Sequence, residues 1–369
     1  MNYLKFFSIA IACAMCIPAF AAEFIVKGKV KHSEGRSKIC LGYAGDDGNY
    51  LSDTANIVDG NFTIKGQVSA VQKATLQFIS DDKDQRYIYL EFYLEPGNVL
   101  IEIDEDIREA QVSAGAEQAL AVQLKGQIGG PRKELDSVFS TYRSVLAKKD
   151  SVLMKDYLAA VAKLSSAINL AELDFVKRNP ESMVAFDVVK ARSYIIDVER
   201  FSPFLAALGE KAKDSEEGRE MSNRLEIAKK TGVGKPMIEV NLADSTGNLI
   251  KLSEVKGKYV LLEFWSSWCG PCRAENPNLK RAYAEFKDKG FEIYAVSLDS
   301  RKADWLKAIK DDDLPWIHVS DLQGLQCAAA VEYGIIAIPQ NILIDNNGTI
   351  VEKNLRGDSL QITLSKLLN

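Results

Sequence analysis

Two cysteines separated by two residues, in Trp268-Cys269-Gly270-Pro271-Cys272, carry the strongest chemical signal in the chain. That spacing suits half of a zinc site or a dithiol that opens and closes as a disulfide. A structural zinc needs four ligands, and no second C-x-x-C or Cys–His pair completes the set. His32 and His318 are the only histidines, so a multi-histidine metal centre cannot be built and a His-dependent triad has just two candidate bases. What remains is a permanent bond or reversible dithiol chemistry. The position favours the second. Tyr259–Trp265 reads as a buried strand and a helix is expected from about Pro271, so Cys269 stands at a helix start. Free N–H groups and the dipole stabilise an anion there. Cysteines in such places have pKa values of about 7 or lower, and the thiolate is the nucleophile of disulfide exchange. Cys269 is expected to be exposed. Cys272, on the same helix face, can attack it and release a captured partner. Pro271 suits a first helical turn, where its missing N–H costs little. Gly270 is expected to relieve crowding, and Trp268 to shield one side of the pair.

Position singles out further residues. Glu263 interrupts the apolar run Leu261-Leu262-Glu263-Phe264-Trp265, which is costly unless the acid is used or paired. Burial would raise its pKa and let it exchange protons with Cys272 near pH 7, directly or through water. An ion-paired acid at a sheet edge is the alternative. Pro339 follows Ile338 and precedes a predicted strand. A cis bond there would set a backbone edge beside the sulfurs, and a trans turn proline is the alternative. Cys327 reads as a packing thiol, a third redox thiol, or a partner for Cys40.

At roughly 100–200 residues per domain, 369 residues make two or three domains. Residues 1–21 read as a secretory signal peptide: Lys5, an apolar Phe6–Ile17, then Pro18-Ala19-Phe20-Ala21 with an Ala-x-Ala pattern. Lipoprotein processing at Cys13 or Cys16 ranks second, because Ala10-Ile11-Ala12 lacks the usual leucine. Residues 22–125 form a β-rich segment, with strands at Phe24–Val30, Asn61–Lys65, Ala74–Ile79, Arg86–Leu94 and Val99–Ile103, in the manner of an antiparallel sandwich. Residues 126–230 switch to a helical period, from the stripe Leu135, Val138, Phe139, Tyr142, Val145, Leu146 onward. Thr231–Pro236 is linker-like. Residues 231–369 alternate strands and helices, then close with a hairpin and a helix, which predicts an α/β fold with a mixed sheet.

At these residues the chain resembles the thioredoxin superfamily, and within it the exported TlpA-like thiol–disulfide oxidoreductases, some of which serve cytochrome c maturation. The resemblance rests on Leu262-Glu263-Phe264-Trp265-Ser266-Ser267-Trp268-Cys269-Gly270-Pro271-Cys272-Arg273, Glu275-Asn276-Pro277, Val296-Ser297-Leu298-Asp299, Tyr333-Gly334-Ile335 and Ile338–Asp345 with Gly348. It covers about 235–369. It implies a thioredoxin fold, Cys269 as nucleophile, Cys272 as resolving thiol, Pro339 as the cis-proline and Glu263 as the buried acid. Ile338 stands where the family often has Thr or Val, which bears on substrate choice. Residues 24–120 resemble a β-rich domain of unknown function found ahead of such domains.

The expected activity is reduction of protein disulfides by an exported, periplasmic enzyme, because Gly-Pro between the cysteines is the dipeptide of thioredoxin, near about −270 mV. The expected partners are a disulfide-bearing client and a membrane electron donor, with a homodimer through the N-terminal domains as a further option. No cofactor is called for. The net charge of −5 argues against general nucleic-acid binding. An isomerase, a client-binding module and a thiol peroxidase are the competing readings. The last is disfavoured because Ser266-Ser267-Trp268-Cys269 lacks a Thr-x-x-Cys pattern.

Overall fold

The computed structural model describes residues 21–45, 48–79, 88–142, 144–145 and 151–369. Residues 1–20 of the expected signal peptide, with Cys13 and Cys16, lie outside the described residues, as do Arg86, Tyr87 and Leu146. The chain divides into two compact units, one running to Glu172 with Ser182–Val184, the other comprising Leu173–Glu181 and Ala185–Asn369.

The first unit contains two four-stranded sheets. β1 (Ala22–Val30), β4 (Asn61–Val68), β7 (Gly97–Ile103) and β8 (Gln111–Ser113) form one, in the order β4-β1-β7-β8. β2 (Lys38–Ala44), β3 (Tyr50–Asn56), β5 (Gln72–Phe78) and β6 (Leu90–Leu94) form the other, in the order β3-β2-β5-β6. Alternating residues from both sheets, Phe24, Val26, Leu41, Ile64, Leu76, Phe92 and Ile101 among them, share one core, so the architecture is a β-sandwich. One pairing departs from the antiparallel expectation. β1 and β7 run parallel, because the chain crosses to the second sheet between them. β2 and β3 carry no strand expectation. β3, Tyr50-Leu-Ser-Asp-Thr-Ala-Asn, is exposed or half-exposed throughout and shows no apolar alternation.

Helix α1 (Ala116–Ser140) begins inside the segment expected to be β-rich and continues through Pro131. Gln118 and Glu117 tie its first turn to the sandwich, through Tyr93 N–H (3.0 Å) and Glu95 (3.1 Å). After it come α2 (Ser151–Arg178), α3 (Met183–Arg192), α4 (Val198–Ala207), α5 (Glu210–Lys213) and α6 (Glu216–Lys230).

The second unit ends in a five-stranded sheet of order β13-β12-β11-β14-β15, from β11 (Tyr259–Trp265), β12 (Phe291–Ser297), β13 (Ile317–Val319), β14 (Gln340–Asp345) and β15 (Ile350–Lys353). β11, β12 and β13 are parallel, and β14 and β15 are antiparallel to their neighbours. A short hairpin, β9 (Asn241–Ala243) and β10 (Leu249–Lys251), precedes it. The period of two in β11 sends Leu262 and Phe264 into one core and Leu261 and Trp265 into the other. The second core is closed by α7 (Gly270–Phe286), α8 (Lys302–Asp312) and α10 (Asp358–Leu368), the first by the short α9 (Ala328–Glu332) with Tyr333. This is the α/β mixed sheet flanked by helices of a thioredoxin fold.

The segment expected as a linker is instead bonded to the sheet. Gly234 N–H donates to Ile350 O at 2.7 Å, Ile350 N–H to Lys235 O at 2.8 Å and Met237 N–H to Gly348 O at 2.7 Å. Gly234–Met237 thereby pairs the backbone of Gly348 and Ile350, at the hairpin turn and the head of β15, whose groups would otherwise be open at the sheet edge.

Candidate active site

Cys269 and Cys272 stand where β11 gives way to α7, and their sulfurs form a disulfide with Cα atoms 5.2 Å apart. Cys269 is the N-cap residue: its backbone is extended (φ −82°, ψ 96°) and its sulfur accepts the Cys272 N–H at 3.1 Å. A sulfur in that role is aimed at the unpaired N–H groups of the helix, where negative charge is stabilised. Pro271 occupies the first turn, which loses nothing by lacking its N–H.

Two sequence expectations need correction here. Cys269 is 5% exposed, not open, because the closed disulfide packs into the same core as Leu279 and Ile338; Cys272 is fully buried. Gly270 relieves no crowding, since a Cβ there would meet nothing within 4 Å at this exposed turn. Trp268 is 62% exposed, so most of its indole faces solvent beside the pair.

Glu263 lies on the central strand, paired with Ala295 of β12 and Asn341 of β14, and is 3% exposed. Burial, with a smaller push from the Glu275 carboxylate on α7, lifts its carboxyl to about 8. No cation contributes, and the strand is not an edge, so the ion-paired edge reading does not fit. The Ile338–Pro339 peptide is cis. Phe264 pairs with Gln340, which sets the buried Pro339 one residue further along, at the end of β11 from which the cysteines follow. The Arg356 guanidinium donates to the Pro339 carbonyl, and Ile338 packs against both cores.

The loop between β11 and α7 is clamped by residues given no role from sequence. Ser267 donates its N–H (2.9 Å) and hydroxyl (2.5 Å) to the buried Asp299. Its carbonyl accepts Arg273 Nη1 at 3.3 Å, and Arg273 is ion-paired with Asp312 at the end of α8. An acid directly after the buried run Phe291–Leu298 was the available signal for Asp299.

Cys40 and Cys327 are free. Cys40 lies 3.0 Å from the Ser52 hydroxyl, and burial pushes the fully enclosed Cys327 thiol up to about 11. Cys327 is therefore a packing thiol, without a bond to Cys40. In the reduced protein, iodoacetamide is expected to label Cys269 at least tenfold faster than Cys272 or Cys327 at pH 7, because only Cys269 holds its sulfur at the helix N-terminus, while the other two are fully enclosed. Peptide mapping of a timed alkylation checks this; equal rates at 269 and 272 would contradict the helix-start assignment.

Comparison with known proteins agrees with this geometry. Residues 233–353 match the AhpC/TSA family, and residues 24–121 match DUF4369, a domain of unknown function. The chain is 32% identical over 139 residues to the thiol-disulfide oxidoreductase ResA of Bacillus thuringiensis subsp. konkukian, covering 38% of this chain and 78% of ResA. It is 34% identical over 129 residues to ResA of Halalkalibacterium halodurans, covering 35% of this chain and 72% of that one. Among solved structures, the thioredoxin domain of a thiol-disulfide oxidoreductase from Bacteroides vulgatus is 42% identical, with 37% of this chain and 99% of that domain covered and a TM-score of 0.36. A chain with a C-x-x-C at a helix N-terminus, a cis-proline opposite it and this degree of identity to ResA belongs to the ResA-like thiol–disulfide oxidoreductases.

Proposed function

We propose that this oxidoreductase is exported to the periplasm and reduces disulfides in client proteins through Cys269 and Cys272. The observation that carries the reading is the Cys269 sulfur capping α7 while bonded to a buried Cys272, with the buried Glu263 carboxyl on the adjoining strand. In the reduced enzyme the Cys269 thiolate attacks a client disulfide, forming a mixed disulfide and releasing one client thiolate. Cys272 then gives its proton to Glu263 in its ionised form, about a tenth of the population at pH 7, and attacks the Cys269 sulfur, releasing the second client thiolate. The client gains two electrons and leaves as two thiolates, which take up one proton from Glu263 and one from water, and the enzyme leaves as the Cys269–Cys272 disulfide. A carboxyl near 8 is close to the usual thiol range, as efficient proton exchange requires. Trp268, Gly270, Pro271, Ile338 and cis-Pro339 form the rim against which a client chain lies.

The leader-like residues 1–21 support export. A membrane donor re-reduces the pair, and cytochrome c maturation is one pathway that needs such a reductant. The segments 22–125 and 126–230 serve client capture or homodimerisation, in keeping with exposed apolar side chains such as Val122, Leu158 and Leu170 on α1 and α2.

The reduction potential of the pair tests the reading. Equilibration of the full chain with glutathione buffers is expected to give a value near that of thioredoxin, about −270 mV. A value near about −120 mV, that of a strong oxidant, would replace the reductase with an oxidase.

A further inference from the structure

The geometry points to Asp299 as the residue that keeps the Cys269–Cys272 couple reducing, by fixing a negative charge behind the loop that carries Cys269. This rests on the reductase reading above and names what sets its driving force. Asp299 follows β12, the strand paired with β11, and is 2% exposed. Its oxygens receive the Ser267 N–H (2.9 Å), the Ser267 hydroxyl (2.5 Å) and the Ser297 hydroxyl (2.8 Å). Ser297 in turn accepts the Asp299 N–H at 3.1 Å, which locks the carboxylate in place. These donors are neutral, so they hold the charge without cancelling it. The nearest cation in sequence, Arg301, is paired with Asp304 at 3.2 Å, and Arg273 is paired with Asp312.

Ser267 is two residues before Cys269, at most about 7.6 Å of chain between their Cα atoms. A unit charge at about 8–10 Å, in an effective dielectric of about 20, moves a thiol by about one pH unit. The α7 N-terminus draws Cys269 toward thiolate, and Asp299 opposes it. A less stabilised thiolate makes the reduced pair a stronger donor of electrons, as a more stabilised one makes an oxidant. The other ionisable side chains at this end of the sheet include Glu263 on β11, Glu275 and the paired Arg273 on α7, Asp312 on α8, His318 on β13, and Arg356 after β15, whose guanidinium is bonded to the Pro339 carbonyl. Burial pushes His318 down to about 4, so it carries no charge at neutral pH.

Asp299→Asn removes the charge and keeps the bonding, because the amide oxygen still accepts the Ser267 N–H and the Ser297 hydroxyl, and the NH2 can donate to the Ser267 hydroxyl oxygen. The pH profile of Cys269 alkylation is expected to move down by about one unit, and the glutathione equilibrium tenfold toward the dithiol, about 30 mV. Ser267→Ala keeps the charge while deleting one bond, and is expected to leave the alkylation midpoint in place. An Asp299→Asn protein with the wild-type midpoint and equilibrium overturns the assignment, as does a Ser267→Ala protein that shifts as far as Asp299→Asn. If Asp299→Asn does not fold, carbon-13 NMR of the wild-type dithiol decides: the Asp299 carboxyl signal is expected to step at the Cys269 midpoint, and no step overturns the assignment. A wild-type couple near the strong oxidants, with the tenfold shift still present, supports the charge effect and overturns only the reductase reading.

Discussion

A Cys272→Ala protein is expected to accumulate as a mixed disulfide with its clients through Cys269, and to lose steady-state disulfide reductase activity by about a thousandfold or more. The size follows from the geometry. Cys272 is held in bonding position to Cys269, so its attack is intramolecular, and well-oriented intramolecular steps reach effective molarities of about 10⁵–10⁸ M. Millimolar thiol in solution replaces that poorly. Non-reducing electrophoresis followed by mass spectrometry of the trapped adduct reads the result. Adducts on Cys327 in place of Cys269 would reverse the assignment, an outcome opposed by a thiol that is fully enclosed and raised to about 11.

The second large effect belongs to Glu263→Gln and runs in opposite directions for stability and turnover. The native carboxyl is raised to about 8 by burial, against about 4.3 in an unfolded chain. The folded state therefore binds the extra proton, and its contribution to stability is complete below the unfolded value. It is lost as pH rises through the folded one. Across pH 4.5 to 8 the wild type is expected to give up on the order of 4 kcal/mol from this group. Glutamine has no proton to lose, so the variant's melting temperature stays flat over that range and exceeds the wild type's at pH 9. Turnover falls instead, by about 10²-fold at pH 7, because Cys272 loses its proton acceptor. Parallel pH dependence of melting in the two proteins would mean that Glu263 is already ionised in the fold.

The redox half was more legible in sequence than the rest for a physical reason. β11 is buried on both faces, so its apolar run from Tyr259 to Trp265 has one reading, and a C-x-x-C with Pro at the next turn marks where the helix must begin. The single acid in that run announced its own cost. β3 was invisible because it is polar and held by backbone bonds to β2, which leave no trace in side-chain pattern. β13 is only three residues long, Ile317-His318-Val319, and is defined by its partner β12. The Asp299 clamp depends on Ser267, 32 residues away in sequence, and such contacts are set by the tertiary fold. Gly270 misled in the other direction: a glycine suggests a tight place, and here it faces open space.

The strap Gly234–Met237 across Gly348–Ile350 fixes where the redox portion can be cut free. A truncation or proteolytic nick beyond Lys235 would strip that cover and bare Ile350 at the head of the edge strand β15, inviting cross-strand pairing between molecules and aggregation of an otherwise intact catalyst.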